Sequence, residues 1–370
     1  MEVPSLSHGE IRADSEPART RPRTRVELDA IPAYRAGAVA PEGAYKVSSN
    51  ENPFPPLPGV VAAITDMASN VNRYPNFSSE SLVAALAERH SMPPECIALG
   101  TGSVAVLAQT IAAVAAVGDE VVVPWRSFEA YPILVQLSGA TLVKVALRSD
   151  FTHDIEAMAR AITPTTRLLV VCTPNNPTGT VVTEAEITEL IASVPSDVLI
   201  AIDEAYVEFV HESVRLPSLE LVRAYENVMV LRTFSKAYGL AGLRVGYAVA
   251  NPRIATALRK AQLPFGVSSL AERAALASLA NEHELLRRVA ILVDERERVL
   301  GELRAAGVEV VASQANFVWL PLADRASQFG QYLEERGIVA RPFDGDGVRV
   351  TVAEPPANDA FVNAAIEFAR

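Results

Sequence analysis

Residues Thr233–Arg244 read TFSKAYGLAGLR, and this stretch decides how the rest of the chain is read. A β-branched run, Val228–Thr233 (VMVLRT), leads straight into it. Lys236 is therefore expected just past the end of a strand, among small residues and beside the hydroxyl of Ser235. A lysine so placed, partly desolvated and near a cation, has a lowered pKa and is suited to Schiff-base formation with a carbonyl. Small neighbours let a flat group approach the backbone. Ser235 and Arg244 offer a hydroxyl and a guanidinium to a phosphate.

Outward from this stretch, short β-branched runs occur at Asp119–Val123, Thr141–Leu147, Arg167–Thr173, Val198–Asp203 and Val245–Ala250. Most are separated by segments with helical periodicity, such as Thr183–Ser193. Apolar runs alternating with helices predict a largely parallel sheet buried on both faces, with right-handed crossovers. Ligands on such sheets bind beyond the carboxyl ends of the strands. Further on, residues 284–306 place Leu285, Val289, Leu292, Val299 and Leu303 on one face of a long amphipathic helix. Strand-like Asn316–Leu320, Ile338–Ala340 and Val348–Val352 and a terminal helix follow, an α+β segment that reads as a second domain. Upstream, Pro32, Pro41, Pro53, Pro55, Pro56 and Pro58 forbid a long helix and predict an extended arm. The first residues, rich in Ser, Glu, Arg and Pro, read as a disordered tail. The expected division is a tail (1–28), an arm (29–60), a large domain (61–260) and a small C-terminal domain (261–370).

Composition narrows the function classes. The chain has 370 residues, 33 Lys and Arg against 44 Asp and Glu, and a net charge of −11, which opposes nucleic-acid binding. Its two cysteines, Cys96 and Cys172, form no CxxC pair, so neither a disulfide framework nor a zinc knuckle is expected, and a reducing cytoplasm fits best. The five histidines have no ligand spacing, and no metal is expected. No apolar stretch is long and uninterrupted enough for a membrane span, and no apolar segment near Met1 reads as a signal peptide.

Other strand ends carry chemistry-bearing residues. Gly100-Thr101-Gly102-Ser103 lies between a short strand (Ile97–Leu99) and a helix expected over Val104–Val117. Such a turn is either simply tight or a cradle whose free amides face a phosphate. Phe128, past the DEVVVP strand, is either a core contact or a stacking surface. Thr173-Pro174-Asn175-Asn176 and Asp203-Glu204-Ala205-Tyr206 close the next two strands. A strand-end aspartate serves either as a helix cap or as a charge partner. Arg349, within Val348–Val352, is either a surface arginine or a bidentate fork for a carboxylate or phosphate.

Together these motifs resemble, in order, those of the pyridoxal-phosphate enzymes of fold type I, the aspartate-aminotransferase fold. From about Ile31 to the C-terminus the chain is similar to histidinol-phosphate aminotransferases and the related aromatic amino-acid aminotransferases. The resemblance implies a mostly parallel seven-stranded sheet in a large α/β domain, with a smaller α+β domain behind it. It implies that Lys236 is the catalytic lysine bound to pyridoxal 5'-phosphate. The amides of Ser103 and Val104, with Ser235 and Arg244, would hold the cofactor phosphate. Phe128 would stack on the ring, Asp203 would pair with the protonated pyridine nitrogen, and Asn176 and Tyr206 would donate to the phenolate oxygen. Arg349 would grip the substrate's anionic group, with Arg341 as a further candidate. Tyr34 and the arm Ser48–Pro53, including Asn52, match the segment that closes the substrate pocket. Tyr74, in Asn72-Arg73-Tyr74-Pro75, matches a tyrosine that reaches the phosphate of the other subunit, which implies a homodimer with shared active sites.

Two departures stand out: Val104-Ala105 where many relatives carry acidic residues, and Pro55 in place of a common glycine. The segments Trp125–Phe128 and Val352–Asp359 resemble the aromatic branch more than histidinol-phosphate enzymes, which carry a Thr-Tyr or Ser-Tyr pair at the first site and glycine at position 353. The implied activity is ping-pong transamination from aromatic amino acids to 2-oxoglutarate, with small-molecule amino acids and 2-oxo acids as partners. Histidinol phosphate is the alternative donor. A β-lyase shares the fold, and so does a noncatalytic effector module of transcription regulators, but the 28-residue tail is too short to supply the DNA-binding domain a regulator needs.

Overall fold

The strand runs form one seven-stranded sheet because nearly every residue in them is apolar and both faces are covered. The structure is a computed structural model and describes residues 24, 25, 28, 29, 31, 37 and 39–370. Tyr34 and nearly all of the expected tail lie outside the described residues. The arm contributes a two-residue strand, β1 (Tyr45–Lys46). The sheet strands are β2 (Ile97–Gly100), β3 (Glu120–Trp125), β4 (Thr141–Ala146), β5 (Thr166–Cys172), β6 (Leu199–Asp203), β7 (Val228–Thr233) and β8 (Gly246–Ala250). Their spatial order is β2-β8-β7-β6-β5-β3-β4. Only β8 runs antiparallel to its neighbours, so the sheet is mostly parallel, as expected.

Alternation along each strand splits the side chains between two cores. Val122, Leu169, Val171, Ile200, Ile202 and Val230 pack on one face. Val121, Val123, Leu168, Val170, Ala201 and Leu231 pack on the other. After β3 the chain steps outward to β4 and returns on the far side of β3 as β5, so the strand order reverses there. Such a switch opens a crevice beyond the carboxyl ends of the strands. Gly100, Trp125, Cys172, Asp203 and Thr233 all end at that edge, and β8 begins there at Gly246.

A second, three-stranded sheet holds β9 (Phe317–Leu320), β11 (Arg341–Phe343) and β12 (Gly347–Thr351), in the order β11-β12-β9, all antiparallel. Between β9 and β11 lies β10 (Ile338–Val339), which pairs in parallel with β1. Strand β11 was missed in the sequence because Pro342 stands in it. Proline is tolerated on an edge strand, which is where β11 sits. Residues from this sheet and its helices form a core of their own. The helix Glu282–Ala305 serves both regions: Leu285, Val289 and Leu292 join the core of the large sheet, and Val299, Leu300 and Leu303 join the smaller one. Where it passes from one to the other, the buried Arg296 donates to the carbonyls of Phe209 and Ala315 at 3.0 and 3.1 Å. The described residues from Gly37 to Arg370 form one compact unit. Among the described residues no helix is long and apolar enough to cross a membrane.

The start of β8 is where packing tolerates least. A Cβ on Gly246 would lie 2.4 Å from the amide nitrogen of Ser103 and 2.7 Å from the carbonyl carbon of Gly102. Both are backbone atoms, so a methyl group forces the helix Ser103–Val114 away from the sheet. Gly246→Ala is expected to cost about 1–3 kcal/mol in a urea titration, as overpacking does.

Candidate active site

A cavity of about 230 Å³ opens at the carboxyl edge of the large sheet, and eleven of the fourteen sequence-predicted site residues line it: Ser103, Val104, Phe128, Asn176, Asp203, Tyr206, Ser235, Lys236, Arg244, Arg341 and Arg349. Each arrives by an identifiable local route. Phe128 follows β3, Asn176 follows β5, Asp203 ends β6, and Ser235 and Lys236 follow β7.

One end of the cavity is built for an anion. The helix Ser103–Val114 is capped by Gly102, which has no side chain to occupy the first amides. Gly102 has φ +88°, and a Cβ there would lie 2.6 Å from Nη2 of Arg244, so glycine is needed for both backbone and guanidinium. Arg244 itself is left-handed (φ 57°) and donates to the carbonyl of Ala241 at 2.8 Å and to Ser235 Oγ at 3.4 Å. A guanidinium, a hydroxyl and a helix N-terminus thus converge.

At the floor, Asp203 is only 6% exposed. Burial raises its pKa to about 6, against the lowering effect of hydrogen bonds from Tyr131 Oη (2.7 Å) and the Ala205 amide (3.2 Å). A cation placed against it would favour the carboxylate. The next residue, Glu204, points away and pairs with Arg232 at 2.8 Å.

Lys236 lines the same cavity. Its Nζ donates to the carbonyl of Ser49 at 3.0 Å. Burial, then the charge of Arg349, lowers its pKa from 10.5 to about 7, with Arg244 and Lys46 adding to the effect and Glu51 opposing it. This matches the sequence expectation of a desolvated lysine near a cation. Arg349 donates from Nη1 to Asn176 Oδ1 at 2.5 Å and from Nη2 to the carbonyl of Ser48 at 2.6 Å. It is therefore a buried interior group, and the reading of it as a surface arginine is set aside.

Two predicted residues lie outside the cavity lining. Asn52 braces the lysine loop instead, donating to the carbonyl of Ala237 at 2.9 Å. Tyr74 is 81% exposed, its ring 4.7 Å from that of Phe265.

Sequence reasoning passed over several groups that hold the site. Asn50, buried in a left-handed conformation (φ 53°), donates from Nδ2 to Tyr206 Oη at 2.9 Å. Its amide donates to Thr351 Oγ1 at 2.9 Å, and its carbonyl accepts from Asn316. An asparagine inside a proline-rich arm with positive φ is a detectable turn feature, but its partners lie far away in sequence. Tyr131 and Glu129 were passed over too; both belong to the segment following β3.

The chain belongs to the class I and II aminotransferases, whose family profile matches residues 43–364. It is 54% identical over 354 residues to a protein of Streptomyces coelicolor named aromatic amino acid aminotransferase, covering 95% of this chain and 99% of that one. A Streptomyces avermitilis protein of the same name is 52% identical over the same span and coverage. Among solved structures, histidinol-phosphate aminotransferase from Sinorhizobium meliloti, in complex with pyridoxal-5'-phosphate, superposes with a TM-score of 0.84 at 27% identity, covering 94% of this chain and 98% of that one.

The amine of Lys236 provides a test without substrate. In the cofactor-free protein its rate of acylation should rise with pH through about 7, read by peptide mass spectrometry. Arg349→Ala removes the largest charge contribution and should move that midpoint upward. The same depressed pKa predicts that this group adds stability as pH rises from about 7 toward 10.5, because the unfolded chain then holds a proton the folded one has released.

Proposed function

We propose that the protein moves the amino group of aromatic amino acids, phenylalanine and tyrosine foremost, to 2-oxoglutarate, using pyridoxal 5'-phosphate held in this cavity. The observation that carries the reading is the convergence of Lys236, Asp203, Arg244 and Arg349 on one cavity. The cavity fits the cofactor: an anion end at Arg244, Ser235 and the helix start, a buried carboxylate at Asp203, and a lysine lining the same space. The choice of aromatic donor draws support from relatives of that name sharing over half their residues along nearly the whole chain.

When bound, the cofactor supplies an electron sink for bond-breaking at the substrate's α-carbon. The residues of the chain do the rest. Arg244, Ser235 and the amides of Ser103 and Val104 anchor the phosphate. Asp203 would pair with the protonated pyridine nitrogen, and Phe128 would cover the ring. Asn176 and Tyr206 direct hydrogen bonds to the ring oxygen. Arg349 would fix the substrate carboxylate in the cavity that Lys236 also lines. With a pKa near 7, the free amine of Lys236 would be suited to accept the α-proton and to give it back near neutral pH.

In this reading the large domain (61–260) carries the cofactor, the three-stranded sheet within 261–370 closes over it, and the arm straps across at Asn50, which bonds to both Tyr206 and Thr351. The protein acts as a homodimer in the cytoplasm. Val71, Tyr74, Phe77, Leu263 and Phe265 are exposed, and the rings of Tyr74 and Phe77 both contact Phe265, an apolar surface that suits a second copy. Both cysteines are buried and free, which suits a reducing compartment.

Holoenzyme should show a kcat/KM for phenylalanine at least about tenfold above that for histidinol phosphate, each with 2-oxoglutarate, with Lys236→Ala inactive on both. A reversed ratio would establish the histidinol-phosphate reading. For the dimer, Tyr74→Phe protein mixed with Lys236→Ala protein should regain up to about a quarter of wild-type turnover per site if Tyr74 serves the partner's cavity. Mixtures no better than the separate variants would place Tyr74 outside the chemistry.

A further inference from the structure

Ping-pong transamination asks one pocket to take two unlike side chains: an uncharged ring from the donor and a second carboxylate from the acceptor. The three-stranded sheet holds a feature matched to that problem. Arg341 on β11 and Arg349 on β12 are direct cross-strand partners. Opposed residues of an antiparallel pair project from the same face, and both line the cavity. Their guanidiniums flank one aromatic ring, at 5.6 and 5.8 Å from the centroid of Phe343. Like charges set side by side are unfavourable, and the pocket relieves one of them from the segment that follows β3. Glu129, the residue after Phe128, accepts a hydrogen bond from Arg341 Nη2 at 2.7 Å. Both side chains are largely enclosed, at 15% exposure for Arg341 and 33% for Glu129. Arg349 is held differently, with hydrogen bonds to the neutral oxygens of Asn176 and Ser48.

We infer that Glu129 determines specificity by sharing Arg341 with the substrate: it neutralises Arg341 while an aromatic side chain occupies the pocket and yields it to the distal carboxylate of a dicarboxylate. The α-carboxylate common to all substrates stays with Arg349. Glu129 is suited to yield because it stands at the start of the helix Ala130–Ser138 without capping it, and among the described residues no backbone amide donates to its carboxylate. An aromatic substrate then meets an electroneutral wall backed by Phe343. A dicarboxylate meets a guanidinium whose partner can turn to solvent. The inference rests on the aromatic-donor reading and adds the residue that lets the same site accept 2-oxoglutarate.

The test uses holoenzyme and two unreactive acids that carry neither amino nor oxo group, glutarate and 3-phenylpropanoate, titrated by calorimetry. Glu129→Gln keeps the shape and removes the charge. It should bind glutarate roughly three- to tenfold more tightly, the scale of one partly exposed ion pair, with 3-phenylpropanoate shifted less than about twofold. Arg341→Gln should weaken glutarate about tenfold or more and spare 3-phenylpropanoate. In steady state the KM for 2-oxoglutarate should follow glutarate while the KM for phenylalanine does not. Glu129→Gln weakening both acids alike, or leaving glutarate unchanged, would overturn the inference and reduce Glu129 to a structural brace. Wild-type enzyme that fails to transaminate phenylalanine would instead sink the donor reading, so the two failures are distinguishable.

Discussion

The amine of Lys236 shares one cavity with the guanidiniums of Arg349 and Arg244, and that crowding of cations governs the site. Burial and positive neighbours both penalise its proton, which brings a group of ordinary pKa 10.5 down to about 7. A lysine poised there can both accept and return a proton near neutrality. The arrangement is unfavourable for the empty fold. Stability must come from elsewhere, and the two apolar cores on either face of the large sheet are the place for it.

The parallel sheet meets this constraint by geometry. Its strand ends deliver an aspartate, a lysine and the anion cradle to one edge, at the point where strand order reverses. Strand alternation sends Asp203 to one face and Glu204 to the other, so one carboxylate serves the cavity and the other pairs with Arg232. The smaller sheet then brings Arg341 and Arg349 across to the cavity, and the arm ties the two sheets together through Asn50. The long helix Glu282–Ala305 contributes residues to both cores, which couples the placement of Arg349 to the packing of the large sheet.

Much of this was legible in the chain. The six strands from β3 to β8 fall within two residues of their expected bounds, since buried strands leave continuous apolar runs. The helix expected at Val104–Val117 begins at Ser103 and ends at Val114. TFSKAYGLAGLR fixed the lysine, its hydroxyl and its arginine because those residues act within one short loop. Strand β11 was not legible, because Pro342 breaks the β pattern and only its edge position excuses it.

The remaining decisions belong to tertiary structure. Asn50 meets Tyr206 across 156 residues, Arg349 meets Asn176 across 173, and Arg341 meets Glu129 across 212. Periodicity and local motifs report only what neighbours in sequence do to one another. They identify arginines, but not which of them will face a carboxylate and which a carbonyl. By itself the sequence determined the strand and helix segments and the loop that carries Ser235, Lys236 and Arg244, each encoded by residues close in the chain. Only packing decided that Arg349 is enclosed between Asn176 and Ser48 while Arg341 is shared with Glu129, because charge compensation depends on what the folded chain brings within about 3 Å.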